Sequence, residues 1–100
     1  MVENTWLTRA NITTLIVLAS RMWDLVETRD RKWLDHRFMI VRRLNRRLIE
    51  GKVKITRWAR HKYDLDDVQR AVDEIYHRLD AKLFDLELAD RHAPPCAKSA

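Results

Sequence analysis

The sequence predicts an all-α fold, a small helical bundle of three main helices. A short fourth helix around residues 55–63 is an alternative to this three-helix count. One Gly and two Pro in 100 residues are too few for a turn-rich β fold. Apolar residues also recur at spacings of three and four through three long stretches, which is typical of amphipathic helices. We expect residues 1–92 to form a single helical domain and residues 93–100 to form a disordered tail.

The first helix is predicted to begin after Thr5 or Asn11, to have a strongly helical pattern from Leu15, and to end near Glu27–Asp30. Its apolar arc covers nearly half of the helix circumference because Ile16 and Trp23 widen it, so we expect this helix to be the centre of the core, with Trp23 buried. Thr5 and Asn11 are both candidates for its N-cap, because each has a side-chain oxygen for the unpaired amides of a first turn. The stripe itself consists of Leu15, Leu18, Ala19, Met22, Leu25 and Val26.

The second helix is predicted to begin after Asp30 as its N-cap and to end at Gly51, the only glycine of the chain. An apolar stripe at helical spacing runs along one side of this segment, at Leu34, Phe38, Val41, Leu44 and Leu48. At about 100° per residue, the basic side chains fall on the opposite side. This opposite side carries Lys32, Arg42, Arg43, Arg46 and Arg47.

The segment 52–62 has an ambiguous pattern. The alternation in VKITRW is typical of a short extended piece, whereas ITRWARHKY fits a short helix, which we favour. In that helix Trp58 packs inward as an anchor, which is our preferred interpretation of this residue. The alternative is that Trp58, which lies between Arg57 and Arg60, offers its ring as a stacking platform for a nucleic-acid base.

The third helix has the clearest signals in the chain. Asp64 is its predicted N-cap, and the acids at 66 and 67 interact favourably with the dipole of a first turn. Phe84 and Leu88 fall on its charged side and predict a second contact surface, for a partner protein or for another copy of the chain. The apolar stripe comprises Leu65, Val68, Val72, Ile75, Tyr76, Leu79, Leu83 and Leu86.

The charge distribution is strongly asymmetric. Residues 29–62 carry thirteen Lys/Arg against three acids, within a chain of net charge +5. Such a concentration predicts an anionic partner, and a nucleic-acid phosphate backbone fits it. The alternatives are an acidic protein surface, or internal pairing with acids of the third helix. The predicted nucleic-acid-binding residues are Lys32, Arg42, Arg43, Arg46, Arg47, Lys52, Lys54, Arg57, Arg60 and Lys62.

Motifs of catalysis and metal binding are absent from the sequence. One glycine cannot build a phosphate-binding loop or a nucleophile elbow, and there is no HExxH and no second cysteine to join Cys96. We therefore predict no enzyme activity, no cofactor and no metal site. The longest uncharged run, Ala10–Ser20, is too short to cross a membrane, so we predict a cytoplasmic protein.

These observations predict a non-catalytic, basic, helical binding protein. Our first hypothesis is a small accessory subunit that contacts the phosphate backbone of DNA or RNA, largely independently of sequence. In size, helicity and basic face the chain resembles the small helical subunits of CRISPR-type ribonucleoprotein complexes, although no motif is shared. The alternative is a protein-binding regulator or inhibitor of the mobile-element type. Its basic face would dock on an acidic or nucleic-acid-binding surface of a host protein.

Overall fold

The computed structural model describes residues 3–91 and confirms an all-α bundle of three main helices. The expected fourth helix is reduced to a single 3₁₀ turn, because the chain is extended just before it. The tail predicted for 93–100 lies outside the described residues. In chain order the elements are β1 (Thr5–Leu7), α1 (Arg9–Thr28), α2 (Arg31–Ile49), β2 (Val53–Ile55), the 3₁₀ turn (Ala59–His61) and α3 (Leu65–Arg91).

The central element is α3, which packs against both α1 and α2. Its length of 27 residues lets it cover both partners, and five of its side chains are buried. The expectation that the first helix forms the centre of the core is wrong, since α1 buries only Ile12, Met22 and Val26. The buried side chains of α3 are Val68, Ala71, Val72, Ile75 and Leu79.

Two polar contacts show how the helices run relative to one another. The turn between α1 and α2 lies near the C-terminal half of α3, where Lys82 Nζ is 3.3 Å from Glu27 Oε2. At the opposite end, the hydroxyls of Thr13 and Tyr63 are 3.1 Å apart. Helix α1 therefore runs parallel to α3, and α2 returns antiparallel to it. The end that holds the two strands, the C-terminus of α2 and the N-terminus of α3 is called the ribbon end below.

A two-stranded parallel ribbon closes the ribbon end, with Trp6 paired to Lys54 at its middle. Leu7, Val53 and Ile55 point into the core, whereas Trp6 and Lys54 are exposed. The alternation in VKITRW is consistent with β2, but nothing in the sequence indicates β1 or the pairing, because three residues are too few to establish a period of two.

Local caps define where the helices begin and end. Thr8, rather than Thr5 or Asn11, is the N-cap of α1, and Asn11 completes a capping box with it. Asp30 caps α2 as predicted, accepting a hydrogen bond from the Trp33 amide at 2.9 Å. After α2 the backbone turns at Gly51, whose φ of 73° is in the left-handed region that favours glycine.

Trp23 does not pack in the core, contrary to the sequence-based expectation. Its side chain is 63% exposed. The guanidinium carbon of Arg78 lies 3.4 Å from the centre of its ring and covers one face. Trp33, in contrast, is partly buried and packs against the core as expected.

Candidate nucleic-acid interface

The outward face of α2 carries three exposed arginines, Arg42, Arg43 and Arg46. Their position follows from the burial of Leu34 and Val41 on the other side of the same helix. Lys32, the second residue of the helix, is also exposed, so the face extends from Lys32 to Arg46, or about 21 Å of helix at 1.5 Å per residue. We call these four residues the α2 basic face.

None of the α2 basic face takes part in a salt bridge with another residue of the range 3–91. Two of the candidate partner acids on α3 pair with arginines of α3 itself. Asp67 pairs with Arg70 at 3.6 Å, and Glu74 pairs with Arg78 at 3.0 Å. The hypothesis that α3 neutralises the arginines of α2 is therefore wrong for Arg42, Arg43 and Arg46, although Arg31, at the start of α2, pairs with Asp90 of α3 at 2.7 Å.

Arg47 differs from its neighbours because it is partly buried and holds the N-terminal segment in place. Its Nε donates a hydrogen bond to the Thr5 hydroxyl, and its Nη2 donates to the Glu3 carbonyl. The structure thus places Arg47 beside the ribbon rather than on the α2 basic face. Its charge contributes to the local potential, but its hydrogen-bonding capacity is partly used within the protein.

Lys52 is the predicted site residue that forms an ion pair in the structure. Its Nζ donates to Glu50 Oε2 at 3.0 Å, and its side chain is partly buried. The hydrogen bond from Lys52 and then its charge hold the pKa of Glu50 below the usual range, and Arg46 and Arg47 lower this pKa further. Glu50 is therefore a carboxylate at neutral pH and offsets the charge of Lys52.

The remaining predicted basic residues lie in β2 or follow it at the ribbon end. Lys54 and Arg57 are exposed. Arg60 folds back so that its Nε donates to the Ile55 carbonyl at 3.1 Å, which leaves its terminal nitrogens outside that bond. Lys62 Nζ lies 5.3 Å from the centre of the Tyr63 ring. These contacts orient Arg60 and Lys62 without cancelling their charge.

Two exposed tryptophans accompany these cations at the ribbon end. Trp58 is 79% exposed, so the preferred interpretation of it as a core anchor is wrong. Ala59, which is fully buried, anchors the segment instead. Trp6 is 54% exposed beside Lys54. Sequence reasoning missed Trp6 as a site residue, because only the strand pairing turns this side chain outward.

A groove of 650 Å³ adjoins the α2 basic face, on the side that faces α3. Its apolar wall includes Met39 and Ile49, which are both exposed. Arginine side chains thus stand beside exposed apolar side chains in this groove. The groove is lined by Met39, Arg42, Arg43, Asn45, Arg46, Ile49, Glu50 and Tyr76.

The predicted second contact surface lies on α3. Phe84 is 59% exposed, in agreement with its position off the apolar stripe. Leu88 is only partly exposed. The structure therefore leaves one large aromatic ring on the outer side of α3, on a different element from the α2 basic face.

Comparisons with known proteins assign this chain to no family. The sequence matches no protein-family model, and no curated protein or solved structure matches it either. Within residues 3–91, no helix is long and apolar enough to cross a membrane. In the same range, no three His, Cys, Asp or Glu side chains are grouped so as to hold a metal ion.

Proposed function

We propose that this protein is a non-catalytic accessory subunit of the cytoplasm that binds the phosphate backbone of a nucleic acid, largely without regard to sequence. The observation that carries the proposal is the α2 basic face, where neighbouring arginines have no carboxylate partner in the described chain. A guanidinium group forms paired, charge-assisted hydrogen bonds with phosphate oxygens. Binding at such a face releases condensed counterions, which supplies most of the free energy of sequence-independent binding.

The exposed tryptophans favour a single-stranded ligand over a duplex. Bases within a duplex are stacked on one another, whereas unpaired bases are available to stack on an aromatic side chain. Trp58 lies next to Arg57, and Trp6 lies next to Lys54, so each indole has a cation beside it for the adjacent phosphate. This combination of a basic track with aromatic platforms is typical of proteins that bind single strands.

A protein-binding regulator is the second candidate function, and Phe84 is the observation that favours it. A large exposed aromatic ring is typical of residues that contribute strongly to protein interfaces. In this hypothesis the α2 basic face docks on an acidic surface of the target, and Phe84 with Leu88 provides a second contact.

The salt dependence of binding tests the first proposal. The affinity for labelled single-stranded DNA and RNA is measured between about 50 and 200 mM salt, where several phosphate contacts give a steep loss. The triple variant Arg42→Gln, Arg43→Gln, Arg46→Gln loses three contacts, so the slope of log K against log salt should fall by about 2. Arg47 is left unchanged because its substitution also releases the N-terminal segment.

A matched control removes the same number of charges from other positions. Arg9, Arg70 and Arg91 are exposed and lie on α1 and α3. Their triple Gln variant should keep the wild-type slope if the α2 basic face binds the backbone. If the slope of log K against log salt falls equally in the two triple variants, only the net charge of the protein attracts the nucleic acid. If neither DNA nor RNA binds at low salt, the protein-binding candidate is tested with Phe84→Ser and Leu88→Ser.

A further inference from the structure

The groove between α1 and α2 gathers three arginines that the proposed function does not use. It has a volume of 320 Å³ and receives side chains from both helices. Its walls combine aliphatic residues with one aromatic ring, and no carboxylate is among them. The lining consists of Thr14, Val17, Leu18, Arg21, Leu25, Arg29, Trp33 and Arg37.

Trp33 brings two of these arginines together. The guanidinium carbons of Arg29 and Arg37 lie 5.6 and 5.2 Å from the centre of its ring. Such cation–π contacts orient a guanidinium group but leave its charge and its N–H groups available to an anion. Within residues 3–91 no salt bridge involves Arg21, Arg29 or Arg37.

Arg37, one of the residues that line the groove, has an unpaired polar atom. Its Nε is shielded from solvent and has no hydrogen-bond partner among the described residues. Buried donors in folded proteins are nearly always paired, because an unpaired buried donor has lost its hydrogen bonds to water without compensation. An anion with several oxygens, seated between α1 and α2, supplies the missing acceptor and balances the positive charge of the groove.

We propose that the groove between α1 and α2 binds the phosphoryl group of a small ligand, with Arg37 as the innermost donor and Arg21 and Arg29 flanking it. Three guanidinium groups suit a phosphoryl group better than a carboxylate, which has only two oxygens and is matched by one arginine fork. The volume is near the lower limit of small-molecule sites, which fits inorganic phosphate or a compact phosphate monoester. This site is separate from the α2 basic face, whose arginines do not line it.

Calorimetric titration with inorganic phosphate, at an ionic strength held constant with sodium chloride, tests this proposal on protein free of nucleic acid. Wild-type protein should bind phosphate and gain thermal stability from it, whereas chloride alone should give no gain. Arg37→Met and Arg21→Gln should each lower the phosphate affinity about ten- to hundredfold, as expected for the loss of a charge-assisted hydrogen bond. Arg9→Gln removes the same charge from an exposed position of α1 that does not line the groove, and this variant should bind phosphate like the wild type.

Two variants keep the test informative if one fails to fold. Arg21 is exposed, so its substitution leaves the core intact, and Arg37→Met removes the unpaired Nε while keeping an apolar stem. The proposal is overturned if phosphate stabilises the protein no more than chloride does, or if Arg9→Gln loses as much phosphate affinity as the groove variants. Glycerol phosphate in a parallel titration distinguishes the ligand source. If glycerol phosphate binds more tightly than inorganic phosphate, the ligand of the groove is a phosphate monoester. If it binds equally or more weakly, the ligand is free phosphate. Either result supports the site.

Discussion

Trp6 and Lys54 are direct cross-strand neighbours in the parallel ribbon, and both side chains point away from the core. They lie 48 positions apart in the sequence, so only the return of α2 to the ribbon end brings them together. The pairing places an aromatic and a basic side chain at neighbouring positions of the exposed face of the ribbon. Trp58, which follows β2 by three residues, adds a second exposed indole near Arg57.

The two indoles of the ribbon end should contribute directly to the binding of single strands. Trp6→Ala and Trp58→Ala should each weaken binding by about 1–3 kcal/mol, because each removes one platform for a base. Fluorescence anisotropy with a labelled oligonucleotide measures this loss. Trp23→Ala is the matched control, since Trp23 is also exposed but lies on α1 under Arg78. An equal loss in all three variants would contradict a specific role for the ribbon end.

Arg47 should matter for stability, in contrast to the adjacent Arg46. Arg47→Ala removes the hydrogen bonds to the Thr5 hydroxyl and the Glu3 carbonyl, so the free energy of unfolding should fall by about 1–2 kcal/mol. Arg46→Ala changes an exposed side chain and should alter this free energy by less than about 0.5 kcal/mol. Urea unfolding followed by circular dichroism measures both. Indistinguishable midpoints would mean that Arg47 does not hold the N-terminal segment.

The helices could be predicted from the sequence because their apolar periodicity is long. The stripe from Leu65 to Leu86 repeats over six turns, and the caps at Asp30 and Gly51 have specific chemistry. The central helix could not be identified in this way. The width of the apolar stripe predicts that the first helix is the centre of the core. In the structure the long α3 buries more side chains because it contacts both other helices. The wide apolar arc of α1 leaves Trp23 exposed.

The candidate site could be predicted only where it depends on a single helix. The outward positions of Arg42, Arg43 and Arg46 follow from the period of α2 alone. The environment of Arg47 depends on a distant strand, which no local pattern indicates. Trp58 was expected in the core because its segment was predicted to be a helix, and the strand with its 3₁₀ turn presents Ala59 inward instead.

The capping box of α1 should contribute measurably to stability. The Thr8 hydroxyl accepts a hydrogen bond from the backbone amide of Asn11 at 3.2 Å. The backbone amide of Thr8 donates to Asn11 Oδ1 at 3.1 Å. Thr8→Ala should therefore lower the free energy of unfolding by about 1 kcal/mol. Thr14→Ala is the control, because that hydroxyl only bonds the Ala10 carbonyl within the helix and alanine has the higher helix propensity. Thermal unfolding should show a lower Tm for Thr8→Ala alone.

The central position of α3 predicts that alanine substitutions at two apolar residues of this helix lower the free energy of unfolding by very different amounts. Leu79 is fully buried between the helices, so Leu79→Ala should lower the free energy of unfolding by about 2–5 kcal/mol through lost burial and a cavity. Phe84 lies five residues later but on the outer side, and Phe84→Ala should change this free energy by less than about 0.5 kcal/mol.

Chemical denaturation of both variants checks this contrast, and analytical ultracentrifugation then separates two explanations of an unexpected result. A large cost for Phe84→Ala together with a change from dimer to monomer would mean that the ring is covered by a second copy of the chain. A large cost in a protein that is monomeric throughout would contradict the exposure of Phe84. A small cost leaves the ring available as the contact that the protein-binding candidate requires, because its loss then affects binding without affecting the fold.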